Sequence, residues 1–177
     1  MAHSRVFQFE KIKKSEFDDN DIELLNENTL EESQFPFAVD YWREYDDIED
    51  IKEDFKHLVT YVLPEGMFDV NYEEMSLTYI KHPNNYIKRY IDAIKEEANK
   101  LSFEEGKINT WKLLKTIEKF ESVYMIYSSD IGCAMFIKDW ILELAECEKI
   151  GTKFYLGGVL SYKYWLLTNI KYNAKIW

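Results

Sequence analysis

The stretch that decides the fold is Ser122-Val-Tyr-Met-Ile-Tyr-Ser128, which is apolar or aromatic at nearly every position. Such a run is typical of a strand that is covered on both faces of a sheet. Apolar residues then recur at helical spacing as far as Gly151, where a helix end favours a left-handed residue. A second strand is predicted from Lys153. Residues 122–164 therefore predict a strand–helix–strand unit, with parallel strands if the crossover is direct.

Working outward from this unit, the apolar periodicity predicts helices over residues 47–63, 84–101, 110–120 and 133–149. Strands are predicted at 5–12 and near 67–72 and 75–80, the last two as separate short strands or as one bent strand. Gly157-Gly158 is either a hairpin turn or a point of close packing, and Val159–Tyr162 is either a hairpin partner or a continuing strand. The expectation is an α+β fold, a single domain of residues 1–177 in which a small mixed sheet packs against three to four amphipathic helices.

Composition excludes some classes of function. The chain has 177 residues, of which 46% are hydrophobic, so one folded domain is expected. The net charge of −11 argues against a direct nucleic-acid interface and against binding to an anionic membrane surface, since both need Lys and Arg. No apolar run approaches the ~18 residues of a membrane span.

The charge is unevenly distributed along the chain. Residues 15–54 hold sixteen Asp and Glu against Arg43 and Lys52, a net of −14, whereas the rest of the chain sums to +3. After Glu148 there is no acid, and five lysines follow. This acidic segment is the most unusual feature of the sequence.

The two cysteines, Cys133 and Cys147, fall fourteen residues apart within one predicted helix. At ~1.5 Å rise per residue they would be ~21 Å apart, too far for a disulfide. Free thiols are therefore expected, as in the reducing cytoplasm, which is the predicted location.

Motifs that carry catalytic chemistry do not occur. The sequence has no G-x-S-x-G elbow, phosphate loop, dinucleotide fingerprint or H-E-x-x-H pair. Asp54 and His57 have metal-ligand spacing but form one pair only, so a solvated ion pair is expected, and His82 is expected to begin a helix. No catalytic residue, metal or cofactor is predicted.

The part of the acidic segment from Glu31 to Asp54, which also contains aromatic residues, allows three interpretations. The carboxylates are simply a solvated surface over a core of aromatic rings; or they surround aromatic anchors and dock on a basic protein, as an immunity protein or inhibitor does; or they imitate a phosphate backbone and inhibit a nucleic-acid-binding enzyme. We predict the second, a non-enzymatic protein that binds and antagonises a basic partner. The residues predicted to bind are Glu31, Glu32, Tyr41, Trp42, Glu44, Tyr45, Asp46, Asp47, Glu49, Asp50, Glu53 and Asp54.

Two further alternatives stay open at the level of sequence. One is an enzyme whose site is assembled from residues that are distant along the chain. The other is an internal or homodimeric contact, in which the acidic segment docks on the lysine-rich part, residues 149–175, of its own chain or of a second copy.

Overall fold

A computed structural model describes residues 2–32, 39–44, 47–100, 113 and 124–164. Within these residues the strands are β1 (Ala2–Glu10), β2 (Val39–Glu44), β3 (Phe68–Asn71), β4 (Ser76–Tyr79), β5 (Met125–Ser128), β6 (Cys133–Phe136) and β7 (Lys153–Tyr164). The α-helices are α1 (Glu27–Glu32), α2 (Ile48–His57), α3 (Asn84–Asn99) and α4 (Ile137–Cys147). The predicted α+β class is confirmed.

The strands form one seven-stranded mixed sheet, larger than predicted, in the order β3-β4-β7-β1-β5-β6. The long strand β7 pairs with β1 along one side and with β4 and then β2 along the other, all antiparallel. The central strand β1 is parallel to β5. Residues 6–10 of β1 are buried because the sheet is covered on both faces at this central position.

The predicted strand–helix–strand unit is wrong in two respects. A tight turn after Ser128, in which Gly132 adopts φ +70°, sends the chain back as β6, antiparallel to β5, before α4 begins. Cys133 therefore lies in a strand and only Cys147 in the helix, although both thiols are free as predicted. Because of the extra strand the crossover is not direct, and β5 and β7 run antiparallel on opposite sides of β1.

Gly157 lies inside β7 at a bulge opposite Gln8 and Phe9, so the strand continues and the hairpin alternative is wrong. A Cβ at Gly157 would lie 2.7 Å from the Phe17 ring. The close-packing alternative is therefore correct, since only glycine leaves room for that ring.

The sheet has two differently covered faces. On the first, Phe7 and Phe9 of β1 pack against Phe55 of α2 and Trp140 of α4, and the Phe9 and Trp140 rings stack at 5.9 Å. On the second, Val6 packs with Leu25, Leu30 and Tyr162. We call these the helical face and the loop face. Successive strand residues point to opposite faces, which explains the division.

The predicted helix over 47–63 is confirmed. Asp47 caps its N-terminus, α2 runs to His57, a π-helical turn continues through Leu58–Val62, and Leu63 ends it before Pro64. Phe55 and Leu58 are buried and Ile51 is half-buried, as the apolar stripe predicts.

The helix α3 also exists, but the burial predicted for its apolar residues is wrong. No residue of α3 is buried, and Ile91 is 42% exposed. Tyr86, in the first turn, packs against the helical-face core. An amphipathic pattern gives a helix its apolar face without supplying the surface that covers it, which is why the sequence misled here. The predicted helix at 110–120 lies outside the described residues, except that Leu113 is helical.

None of the helices in the described ranges is long and apolar enough to span a membrane.

Candidate partner-binding surface

The outward side of α2 carries four exposed carboxylates, Asp47, Glu49, Asp50 and Glu53, which we call the acidic face of α2. The carboxylate of Asp47 accepts a hydrogen bond from the Glu49 N–H at 2.8 Å and so caps the helix. Acids in the first turn also interact favourably with the positive end of the helix dipole. The local structure therefore stabilises a concentration of negative charge that mutual repulsion would otherwise disfavour.

Lysine neutralises only part of this charge. Glu49 forms an ion pair with Lys52 at 2.7 Å, three residues along the helix. Both side chains are largely exposed, so the pair is worth little and opens readily. The other three carboxylates of the acidic face form no ion pair with any residue that the structure describes.

Asp54 has a different role from its neighbours. Its carboxylate accepts a hydrogen bond from Arg5 Nε of β1 at 2.5 Å, and both side chains are only about one-fifth exposed, 20% and 21%. Arg5 also donates to Ser161 Oγ of β7 at 3.0 Å. The predicted Asp54–His57 ion pair is therefore wrong, because Asp54 turns toward the sheet and ties α2 to the two central strands.

His57 lies between two tyrosines instead. Its ring is 5.1 Å from that of Tyr61, in the π-helical turn, and 5.6 Å from that of Tyr124, which precedes β5. Tyr61 is 76% exposed, the most of any large apolar or aromatic side chain described. Tyr124 is half-buried. Burial raises its pKa above 10.0, and the nearby charge of Asp54 adds to this while that of Arg5 opposes it, so the phenol stays neutral at physiological pH.

These groups follow one side of the helix. Asp50, Asp54, His57 and Tyr61 are spaced by four, three and four residues, and such spacing places side chains on one flank. The row thus runs from Asp50 of the acidic face to the exposed ring of Tyr61, in the π-helical turn that follows α2. Aromatic side chains often contribute most of the binding energy at an interface, and carboxylates attract a cationic partner.

The other predicted binding residues are placed elsewhere. Trp42 in β2 is half-buried, with its ring 5.7 Å from that of Tyr162 on the loop face. The remaining ones give no side-chain geometry: Glu31 and Glu32 belong to α1, and Tyr41 and Glu44 to β2, with side chains outside the described set, while Tyr45 and Asp46 lie outside it altogether.

The acidic segment does not form a single surface. Its first part, residues 14–30, covers the loop face, where Gln8 accepts a hydrogen bond from the Leu25 N–H and donates one to the Glu23 carbonyl, both at 2.9 Å. Its last part, α2, covers the helical face. The exposed carboxylates of the two parts therefore lie on opposite sides of the sheet.

Among the described residues, no group of three His, Cys, Asp or Glu side chains is arranged to hold a metal ion. Comparison of the chain with known protein families, with curated proteins and with solved structures finds no match. What can be said of function therefore comes from the geometry of this chain.

Sequence reasoning missed Arg5, Tyr61 and Tyr124 as parts of this surface. Tyr61 carried a signal, since it follows the acids of α2 at helical spacing and lies off the apolar stripe. Arg5 and Tyr124 carried none, because they reach α2 only through the pairing of β1 with β5.

Proposed function

We propose that the chain is an interaction protein that binds a cationic surface of a partner protein through the acidic face of α2 and the ring of Tyr61. The observation that supports this most directly is that the four exposed carboxylates of α2 are followed, in the π-helical turn that continues the helix, by Tyr61, the most exposed large apolar or aromatic side chain described. The carboxylates would steer a basic partner into contact, and the ring would be buried on docking.

The Arg5–Asp54 ion pair contributes rigidity to this surface. Because it fastens α2 to β1, the carboxylates and Tyr61 are held in place before a partner arrives. Less conformational entropy is then lost on binding, which favours affinity. A protein that covers a basic functional surface in this way blocks it, so antagonism of the partner is part of the proposal, as is a cytoplasmic location.

Imitation of a nucleic-acid backbone is less well supported. A duplex presents one charge per ~1.7 Å of axis along a continuous path. The described carboxylates of residues 14–30 and of α2 lie on opposite faces of the sheet, so they do not reproduce such a path.

The proposal is tested by capturing partners from a lysate of the native host on the immobilised protein at low and at high salt. The captured protein is then purified and its association and dissociation rates are measured by surface plasmon resonance. Association should slow as salt passes ~0.15 M, because charges are then screened beyond ~8 Å.

Two variants with equal charge changes identify the surface. Neutralising the acidic face of α2 (Asp47→Asn, Glu49→Gln, Asp50→Asn, Glu53→Gln) should slow association about tenfold, within the range that steering supplies. The matched control removes four charges on the other side of the sheet (Asp18→Asn, Asp19→Asn, Asp21→Asn, Glu23→Gln) and should have little effect. Tyr61→Ala should mainly speed dissociation. Equal effects of the two quadruple variants, or an association rate insensitive to salt, would disprove this docking surface.

A further inference from the structure

A groove of about 880 Å³ lies beside the turn that follows Leu63, and none of the four carboxylates of the acidic face of α2 lines it. One wall is the turn Pro64–Met67, the other is the segment Ile80–Pro83 with the first turns of α3, and Ile150 closes one end. Its size falls in the range of grooves that hold small organic ligands, ~300–1,000 Å³. The residues that shape it are fixed by backbone hydrogen bonds, since Met67 accepts from the Ile80 N–H at 3.0 Å.

The groove is basic although the protein is acidic. Lys81, Lys88 and Arg89 line it, and none of them forms an ion pair with any described residue. Glu65 and Asp92 are the carboxylates on its walls. Arg89 Nε donates to the Asn85 carbonyl at 3.3 Å, which turns the guanidinium back toward the start of α3. Three cations against two carboxylates leave a net positive charge in this groove, in a chain of net charge −11, and this charge is available to an anionic ligand.

His82 contributes an imidazole ring to the groove, and a buried tyrosine orients this ring. The hydroxyl of Tyr79, a side chain with 0% exposure, lies 3.0 Å from His82 Nδ1. Burial raises the pKa of Tyr79 above 10.0, so the phenol stays neutral and shares a hydrogen bond with Nδ1. This hydrogen bond fixes the orientation of the imidazole, which lines the groove and has a second ring nitrogen for a ligand.

The groove also has an apolar part. Ile80 and Ile150 are 46% and 54% exposed, and Met67 closes the base of the groove with 2% exposure. Exposed isoleucines beside cationic donors match a ligand with an anionic head and an apolar body. Covering them with the organic part of a ligand would remove apolar area from water, which favours binding.

We propose that this groove binds a small phosphate monoester, with the phosphate on Lys88, Arg89 and His82 and the organic part against Ile80 and Ile150. A phosphate offers several acceptor oxygens to donors of this kind. A small ligand is favoured over a nucleic-acid strand. The negative field of a protein of net charge −11 repels an extended polyanion, whereas the charge of a single phosphate group can be neutralised locally by the cations of the groove. The proposal does not depend on the partner-binding surface of α2.

The test uses phenyl phosphate as the probe. Its binding to the full chain is measured from backbone amide chemical shifts in nuclear magnetic resonance and by calorimetry. Saturable shifts should be confined to residues near 64–67 and 80–92. The Lys88→Ala/Arg89→Ala variant should weaken binding at least tenfold, whereas Lys95→Ala, on the same helix but outside the groove, should change it less than twofold. Tyr79→Phe should weaken binding by a smaller factor, and His82→Gln, which keeps an N–H donor, should bind more tightly than His82→Ala.

Three outcomes would overturn the proposal. Binding unaffected by the double variant would place the probe elsewhere. Equal affinity for inorganic phosphate would show that the apolar wall takes no part. Tighter binding of a single-stranded oligonucleotide at the same residues and salt would make the ligand a nucleic acid. Circular dichroism is the control for each variant. A spectrum identical to that of the unmodified chain shows that the fold is kept, so that a loss of binding comes from the substituted side chain.

Discussion

The first and last parts of the acidic segment have similar composition and opposite structural roles. Residues 14–30 hold two short 3₁₀ helices and α1 against the loop face, with Phe17, Leu25 and Leu30 buried beneath exposed carboxylates. The helix α2 buries Phe55 and Leu58 on the helical face and points its carboxylates outward. Both parts contain helical turns, but those of the first part are short, whereas α2 is a continuous helix of ten residues.

The difference shows that charge density alone does not locate a binding surface. A few apolar or amide side chains decide which side of the sheet each group of carboxylates occupies: Gln8 and Phe17 for the first part, Ile51 and Phe55 for the second. The following predictions test whether the two parts are held as differently as the structure indicates.

The largest effect is expected from Phe17→Ala. Its ring is 2% exposed and lies against Gly157, so removal leaves a cavity, which costs about 3–5 kcal/mol of unfolding free energy. Urea denaturation measures this. The control is Ile48→Ala in α2, where the side chain is 48% exposed and the expected loss is below about 1 kcal/mol.

A double variant sharpens this first test. Gly157→Ala alone should destabilise by about 1–3 kcal/mol through overpacking against the ring. In the Phe17→Ala background the same change should cost much less, because the ring that it strikes is gone. Strict additivity of the two changes would contradict the contact between Phe17 and Gly157.

The next effect is expected from Gln8→Met, which keeps the side-chain volume but removes the amide. The buried Leu25 N–H loses its acceptor and the Glu23 carbonyl loses a donor, at a cost of about 1–3 kcal/mol. Hydrogen exchange provides a local readout, since the Leu25 amide should lose protection while the amides of α2 keep theirs. Unchanged protection at Leu25 would mean that residues 14–30 are held in some other way.

A smaller effect is expected from Asp54→Asn, which keeps the shape of the side chain and removes its charge. The pair with Arg5 is only partly buried, so we expect a loss of about 1 kcal/mol, at the lower end of what a charged hydrogen bond contributes. A double-mutant cycle with Arg5→Gln, measured by thermal unfolding, isolates the interaction. A coupling energy near zero would mean that this ion pair does not fasten α2 to β1.

The smallest effect on stability is expected from Asp50→Asn/Glu53→Gln. Both side chains are exposed, and each has a negative neighbour four residues away along α2, so neutralisation should change the unfolding free energy by less than about 0.5 kcal/mol or raise it slightly. Thermal melts at low and high salt check this. A marked loss of stability would show that the acidic face of α2 has a structural role and would weaken its assignment as a docking surface.

Much of the fold could be predicted because short, local sequence patterns specify it. The apolar stripe, the Asp47 cap and Pro64 together specify α2 and its end. The region of β1 and β5 could be recognised from runs of apolar residues. Their order in the sheet could not, because the turn at Gly132 and the bulge at Gly157 each change the path of the chain, and neither has a pattern longer than two residues.

The candidate surface could be predicted only in part for a related reason. The exposure of Asp47, Glu49, Asp50 and Glu53 follows from their places on the polar side of α2. The pairing of Asp54 with Arg5 could not be predicted in this way. Arg5 is forty-nine residues away along the chain, and His57, only three residues away, was the more obvious candidate partner. The basic groove was missed because its two walls, residues 64–67 and 80–92, come together only through the pairing of β3 with β4.

The position of β1 has a consequence for the way this protein is made. Its residues 6–8 pair with 125–127, and residues 2–10 pair with 155–164. On the ribosome, β1 emerges long before either neighbour exists, and it carries two open edges and a run of apolar side chains while synthesis continues. Pairing over such sequence distances is slow, and exposed apolar strands aggregate. The nascent chain therefore stays open to aggregation until residues 125–164 have emerged. The acidic segment follows β1 directly along the chain, so its net negative charge should repel neighbouring nascent chains throughout this time.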